Sequence, residues 1–472
     1  MKRYILILTF ITLSAVSCNL LDMNNDPNNP TKSSVNLVLP AGEASAAYIF
    51  GGQFQVLGGI WAQHWTSQHG GPQYIGIDAY SVTVDAFDRP WDELYSGSLN
   101  DLEWVKNTAK DAGNWNYYLM ATVMQCYTYQ MLDDLYDQIP FTEALQKTNP
   151  HYDAGTVVYD GLIARLNEAL SHDLSTSVGT IPGTDDCIFQ GNMNNWIKFA
   201  NTLKLKIYLR QVYARPDVAS AGIQSLAGAS FLDVDAAYSL YGTSANQRNP
   251  FYETEVFRFG SINVGASTTV ISGFATGDAR MGDARHNPNL LFKTPVDLGP
   301  QVGMQEGYGP VLTSTPTAIS IENVTAQAPV YFMTAAESYF LQAEAALRGY
   351  STGNASALYN QGIAAAYTRL GLAATNIPTD YAYPASADME TNLKAIITQK
   401  WLSMTNIEGL EAFIEFNRTH YPDFLAVSET SVLPAGQFPK RLYFPQAEVQ
   451  TNPLTPAQPA GITTKVWWDK KN

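Results

Sequence analysis

The stretch from Asn114 to Tyr136, NWNYYLMATVMQCYTYQMLDDLY, carries apolar side chains around almost its whole helical circumference. A helix with one apolar stripe can lie at a surface, whereas one that is apolar all round has to be enclosed by others. This segment therefore calls for a frame of further helices, and they are legible on both sides of it. WDELYSGSLNDLEWVKNTAKDAG precedes it, with Trp91, Leu94, Leu102 and Val105 among its apolar positions and Gly113 near its end. VVYDGLIARLNEAL and NNWIKFANTLKLKIYLRQVY make a second pair. In the latter, Trp196, Ala200, Leu203 and Ile207 fall on a single helical stripe.

A third pair begins at MTAAESYFLQAEAALRGY. Thr334 and Glu337 have capping-box spacing, Gly349 offers a left-handed stop, and Ala336, Tyr339, Phe340, Ala343 and Leu347 form one packing face. Its partner is ASALYNQGIAAAYTRLG, and LKAIITQKWLSMTN with GLEAFIEFNRT completes a fourth pair. Such successive hairpins resemble tetratricopeptide units, although no strict period is present. The expected fold is mostly α, an α–α superhelix of tetratricopeptide-like helix pairs forming one domain over residues 36–472. Long Gly/Asn/Thr/Pro-rich insertions at 66–89, 175–193, 228–329 and 428–472 interrupt it. Loops of that length in a compact protein are usually functional.

The N-terminus has a different chemistry. Lys2 and Arg3 precede an apolar run from Ile5 to Leu13 and then small residues, the order of an export signal. The run is too short to span a bilayer. Ala15-Val16-Ser17-Cys18 reads as a lipobox, so residues 1–17 are expected to be a lipoprotein signal peptide and Cys18 the lipidated residue. Several acyl chains on one cysteine hold a protein at a membrane where one chain would not. Residues 18–35 then serve as a tether, because Pro27 and Pro30 lack amide donors and the Asn and Asp side chains compete with regular structure. DMNNDPNNP has oxygen ligands spaced as in a calcium loop, but Pro27 occupies the place of the required Gly and no Glu closes it. No metal or cofactor is expected.

Lys+Arg number 28 against 43 Asp+Glu, a formal net charge of −15, and no segment concentrates the basic residues. Nucleic acid is therefore not an expected partner. Of three cysteines, Cys126 and Cys187 remain once Cys18 is lipidated, either as a disulfide or as two core thiols. Dinucleotide, P-loop, nucleophile-elbow and zinc-peptidase motifs are missing from the sequence. Glycoside hydrolysis needs only two well-placed carboxylates, for which Asp133, Asp134 and Asp137, or Glu337 and Glu344, are candidates. Their positions on helices favour surface charge, capping and ion pairs instead.

Aromatic residues give the stronger functional signal. GGIWAQHWTSQHGGPQYIGIDAY interleaves rings with His, Gln and Gly, a mixture suited to stacking on sugar C–H faces and bonding hydroxyls. The candidate ligand-binding residues are Trp65, Gln68, His69, Gln73, Tyr74 and Tyr80. Trp61 and Trp65 stand four apart and fit one buried helix face, so Gln68, His69, Gln73 and Tyr74 beyond them are the better placed.

NNDPNNPT, DLYDQIPFTEAL, NNWIKFANTLKLKIYLR, GDARM, MTAAESYFLQAEAALRG, GLEAFIEFNRTHYP, PKRLYFPQAEVQTNP and KVWWDK occur in this order. Together they resemble the SusD/RagB family, in its SusD-like branch. The resemblance implies an outer-membrane, cell-surface lipoprotein without catalytic activity. Such a protein would bind an oligomeric nutrient, most often a glycan, as a lid over a SusC-like TonB-dependent transporter. It carries over no ligand set, because these motifs place helices and turns. Where Gly-Asp is common, this chain has Asp137-Gln138, a difference expected to affect a turn. A peptide ligand, a lipoprotein glycoside hydrolase and a helical scaffold for protein partners are the alternatives.

Overall fold

The structure is a computed structural model describing residues 33–68, 72–282, 290–293, 301–307, 319–386 and 388–471. The signal segment, Cys18, the DMNNDPNNP run and His69 lie outside these residues. The main helices are α1 (Val35–Phe50), α2 (Gln53–Trp61), α3 (Asn100–Ala112), α4 (Trp115–Tyr136), α5 (Gly155–Ser171), α6 (Met193–Arg210), α7 (Pro216–Gln224), α8 (Ala335–Leu347), α9 (Ala355–Arg369), α10 (Met389–Ser403) and α11 (Gly409–Thr419). The described residues include the short strands β1 (Trp65–Ser67), β2 (Gln138–Pro140), β3 (Tyr152–Ala154), β4 (Ala236–Tyr238), β5 (Val264–Ala266), β6 (Phe292–Lys293), β7 (Ile321–Glu322) and β8 (Val330–Met333). They pair as antiparallel ribbons β1–β5, β2–β3, β4–β8 and β6–β7.

The four expected helix pairs are present as α3–α4, α5–α6, α8–α9 and α10–α11. Every residue of α4 from Tyr117 to Tyr136 is buried, as its all-round apolarity requires. Gly113, at φ +72°, ends α3 in the left-handed region, and Gly349 at φ +71° follows α8. The first pair begins earlier than a plain helix would, through Asp88–Asp92 and a π-wound stretch, Glu93–Leu99.

Helices α1 and α2 are not apparent from the sequence, where Pro40 and many Gly and Ala weaken the helical signal. Packing compensates. Gly42 lets α1 meet Leu102 of α3, and a Cβ on Gly58 of α2 would come within 2.0 Å of the Leu410 backbone in α11. Trp61 ends α2, whereas Trp65 belongs to β1, so the two tryptophans do not share the helix face that their spacing suggests.

Thr334 caps α8 by accepting the Glu337 N–H at 3.1 Å. The reciprocal half of the capping box is replaced: the Thr334 N–H donates to Glu408 instead. Glu337 is thereby free to face Lys206 and Lys400, each at 3.4 Å. These residues belong to a buried charge network joining five helices. Arg210 on α6 binds Asp134 on α4 and Glu411 and Glu415 on α11. Arg418 on α11 binds Glu344 on α8 at 2.6 Å and Glu415 at 2.7 Å, and Lys400 on α10 reaches Glu415 at 3.2 Å. Asp134, Glu337 and Glu344 are thus ion-paired with Arg and Lys of neighbouring helices, as expected, but in the interior and not at the surface.

The C-terminal segment straps the end of α4. Leu442 N–H donates to Leu135 O at 2.8 Å, and the Trp467 indole donates to Asp133 at 2.9 Å. Asp137 stands at φ +71°, a glycine-like conformation, and receives the Trp467 N–H and the Arg441 guanidinium. In GDARM, Asp278 pairs with Arg280 at 2.7 Å and accepts the Tyr367 and Tyr381 hydroxyls at 2.8 Å each. Cys126 and Cys187 are separate, buried thiols, and burial pushes the Cys126 thiol up to about 12. Among the described residues no helix is long and apolar enough to cross a membrane.

Burial by itself would raise the Glu411 carboxyl, but Arg210, Lys206 and Lys400 outweigh it and hold the group down at about 2. A depressed carboxylate contributes stability above its unfolded value and loses it as pH falls through its folded value. In denaturant titrations, the stability gap between wild type and Glu411→Gln is expected to be largest above pH about 4.5 and to close toward about 2. A gap constant with pH would contradict the pairing.

Candidate functional site

The ribbon β1–β5 brings two of the long insertions together, with Trp65 opposite Ala266 and Ser67 opposite Val264. Pairing continues one residue further, where Gln68 N–H donates to Asn263 O at 2.9 Å. Asp78 ties in a third segment by accepting Thr66 Oγ1 and Ser67 N–H, each at 2.9 Å, and Gly307 N–H at 3.1 Å. Irregular chain is thereby fixed by side-chain acceptors where no regular ladder could satisfy it.

Glu255 does the same for the aromatic part. It lies in the π-wound stretch Tyr252–Arg258 and is wholly buried. One carboxylate oxygen accepts the Tyr74 hydroxyl; the other accepts Asn263 N–H at 2.6 Å and Asn263 Nδ2 at 3.0 Å. Burial and then the Glu255 carboxylate push the Tyr74 phenol well above its ordinary value, so it stays a neutral donor. Two and four residues on, Phe257 and Phe259 are 54% and 44% exposed, and the Arg248 guanidinium lies 3.9 Å over the Phe257 ring.

Three adjoining depressions surround this clasp. The largest, about 880 Å³, is lined by Tyr48, Tyr238, Tyr241, Asn246, Gln247 and Arg248. Pro250 connects it to a small one of about 40 Å³ between Gln53, Tyr74 and Glu255. Gln53 in turn borders a third of about 260 Å³, lined by Gln73, Ser81, Thr83 and Phe87. The result is a groove with ring faces, amides, hydroxyls and one guanidinium along its length. Its carboxylates are Glu93, which accepts Ser45 Oγ at 3.0 Å, and Glu255, whose oxygens are already engaged.

The sequence candidates divide between groove and interior. Gln73 is exposed and Tyr74 half-buried, both lining the groove; Gln68 is half-buried on the continuation of β1. Trp65 is completely buried, its ring tilted against Phe251 with centroids 5.0 Å apart and its indole donating to Asn406 at 2.7 Å. Tyr80 is 3% exposed, in a left-handed turn at φ +57°. Their rings are thus part of the core, while Tyr48, Tyr238 and Arg248, the last stacked on the exposed Phe257, supply groove chemistry that sequence reading missed. The available signal was the aromatic density of FYETEVFRFG and AAYSLYG.

An α–α superhelix that carries ring-lined depressions on its insertions has the architecture of a binding protein. The family profile described as starch-binding, associating with outer membrane, matches residues 29–445, and the chain belongs to this SusD-like family. Among solved structures, a SusD homolog from Bacteroides uniformis superposes with a TM-score of 0.75 at 20% identity, covering 92% of this chain and 99% of that one. A chitin-binding SusD homolog from Flavobacterium johnsoniae gives 0.73 at 21% identity over 91% and 98%. A SusD homolog from Bacteroides thetaiotaomicron gives 0.75 at 20% over 93% and 100%. No curated protein matches.

Tyr74→Phe deletes the phenol that Glu255 accepts and leaves a buried carboxylate oxygen short of a donor. It is expected to cost about 1.5–3 kcal/mol, the value of a hydrogen bond to a charged group. Chemical denaturation of the two proteins measures this, and equal stability would place the contact outside the folded state.

Proposed function

We propose that the chain is a lipid-anchored surface receptor of an outer-membrane nutrient-uptake system. It captures an oligomeric nutrient, most directly a glycan, and delivers it as a lid to a SusC-like TonB-dependent transporter. The observation that carries this reading is the groove. Its rings suit sugar C–H faces, and its amides and hydroxyls suit sugar hydroxyls. Family membership supports the outer-membrane setting, and the chitin-binding homolog supports a saccharide ligand.

The positions of the candidate carboxylates support binding without turnover. Asp134, Glu337 and Glu344 are spent on buried cations, and Asp133 and Asp137 hold the C-terminal strap. A general acid and its partner must reach the scissile bond from opposite sides, and these groups reach only one another's helices. Glu255 likewise spends its oxygens on Tyr74 and Asn263. In the proposed cycle, Cys18 carries the acyl anchor and residues 18–35 let the rigid body swing on it. Tyr74 and the Arg248–Phe257 stack hold the ligand while the groove turns toward the transporter.

Titration with a panel of polysaccharides and peptides tests the ligand. A polysaccharide is expected to bind without release of sugar, with affinity at least tenfold weaker in Arg248→Ala, about 1.4 kcal/mol. Peptide binding alone, or steady product release, would replace this reading. For the anchor, labelled palmitate is expected in membrane-fraction protein from wild-type cells and to be lost in Cys18→Ala. Incorporation that persists in the variant would refute lipidation at that residue.

A further inference from the structure

Residues 174–184, LSTSVGTIPGT, follow α5 closely and hold no charged side chain. Ile181 in this loop is 83% exposed, more than any other large hydrophobic side chain among the described residues, and Val178 is 55% exposed. The backbone beneath them is pinned. Val178 N–H donates to Gly113 O at 3.2 Å, and Asn114 Nδ2 donates to Thr180 O at 2.9 Å. Ser177 Oγ donates to Asn114 Oδ1 at 3.1 Å and accepts the Asn116 N–H at 3.3 Å. Pro182 is buried, its carbonyl so close to Gly191 that a Cβ there would come within 2.3 Å of it. A loop held this firmly keeps its apolar side chains in water unless something covers them, and that exposure is unfavourable.

The start of α1 lies at the same end of the frame. Gly42 of α1 meets Leu102 of α3, while Ser45 Oγ donates to Glu93, ahead of α3, at 3.0 Å, so the two helices run antiparallel. By helical rise, Val35 stands about 10 Å before Gly42 and therefore opposite Ala109, about 6 Å short of Gly113. Both Val35 and Ala109 are buried, as that placement requires. Glu43 ties α1 to the far end of the loop by accepting the Cys187 N–H at 2.8 Å. Leu37, on the first turn of α1, is 61% exposed. Trp115 opens α4 here, half-buried and stacked on His172 with ring centroids 3.7 Å apart. Residues 19–32 separate Cys18 from Ser33, a reach of at most about 55 Å for fully extended chain.

We infer that this end of the molecule is a membrane-docking edge, on which Ile181, Val178 and Leu37 enter the acyl region of the leaflet that holds the anchor and Trp115 sits at headgroup level. The inference rests on the reading of Cys18 as the acylated residue and goes beyond it, since an anchor alone does not say which face meets lipid. The affinity of a peripheral protein for a bilayer grows with the apolar area it buries there. A short connection to the anchor makes this second contact intramolecular, which multiplies its effect. Trp favours the interface, where its ring is shielded and its N–H stays wet. Charge argues for a neutral lipid surface over an acidic one: Lys110, on the last turn of α3, is already paired with Glu168 at 3.0 Å, and Asp111 and Asp173 are exposed beside the loop. Docking on this edge also gives the groove a direction, because Tyr48 stands about 16 Å along α1 from Leu37.

Fluorescence quenching tests it on the chain purified from cell membranes and reconstituted in phosphatidylcholine vesicles with brominated acyl chains. A fluorophore is attached through one added cysteine, Ile181→Cys, Leu37→Cys or, as the control, Val449→Cys. Wild type, whose Cys126 and Cys187 are buried, gives the background. Val449 is 45% exposed in the short helix Gln446–Thr451, which Asp88 caps by accepting the Gln446 N–H at 2.7 Å, at the opposite end of the stretch leading into α3. Quenching is expected at positions 181 and 37 and not at 449, and the quenching at 37 is expected to be lost when Ile181→Asp is added. Labels that stay in water at both 181 and 37 overturn the assignment, as does equal quenching at 449. Quenching at 37 that survives Ile181→Asp reports closeness to the anchor alone and overturns it too. A chain that is dimeric in free solution and monomeric as Ile181→Asp would give the loop to a second copy instead. Palmitate on Cys18 with both labels in water sinks this inference and leaves the anchor standing; Ile181-dependent quenching in protein without palmitate does the reverse.

Discussion

The frame depends on charges that water does not reach. Lys206, Arg210, Lys400 and Arg418 face Asp134, Glu337, Glu344, Glu411 and Glu415, with each of their side chains at most 5% exposed. Removing charges from water is expensive, and an ion pair inside a protein does not by itself guarantee stability. What the network does impose is registration. A helix that slid or turned against its neighbours would strand a charge, at a cost of about 3–5 kcal/mol for one broken buried pair. Apolar stripes tolerate such slips more readily, because one methyl group replaces another. The same logic accounts for Thr334, whose backbone is handed to Glu408 so that Glu337 can serve two lysines.

A frame so constrained can carry irregular chain without losing shape. The insertions have little hydrogen-bonding ladder of their own, and single buried carboxylates stand in for one. Asp78 gathers Thr66, Ser67 and Gly307; Glu255 gathers Tyr74 and Asn263; Asp186 accepts the N–H groups of Ile188, Phe189 and Gly191. Each acceptor holds several donors at once, which is how a loop acquires a defined surface. A groove held open in advance spends less ordering entropy when it binds. The family's conspicuous motifs therefore act in the scaffold: GDARM closes on Tyr367 and Tyr381, and KVWWDK closes on the end of α4.

How far the sequence could be read varied with the element. The all-round apolarity of α4, the stripe on α6, the glycine stops after α3 and α8 and the Thr334 cap were all readable, because each is local. Helix α1 was not, since Pro40 argues against it and its stability comes from Gly42 nesting on Leu102. The paired carboxylates were visible as residues but not as partners, because Asp134 meets Arg210, and Glu344 meets Arg418, only across the packed frame. In the groove, Gln73 and Tyr74 were found from composition, whereas Trp65 and Tyr80 have the same composition and face inward.

By itself, then, the sequence determined the four helix pairs, their order and several of their ends, together with the neutral, ring-rich character of the insertions. Helical periodicity and capping act over a few residues and need no knowledge of what lies beyond. Only the tertiary structure decided which rings line the groove and which fill the core, and which acids find a cation. Those outcomes turn on segments that are far apart along the chain and adjacent in space, where no local pattern reports on the encounter.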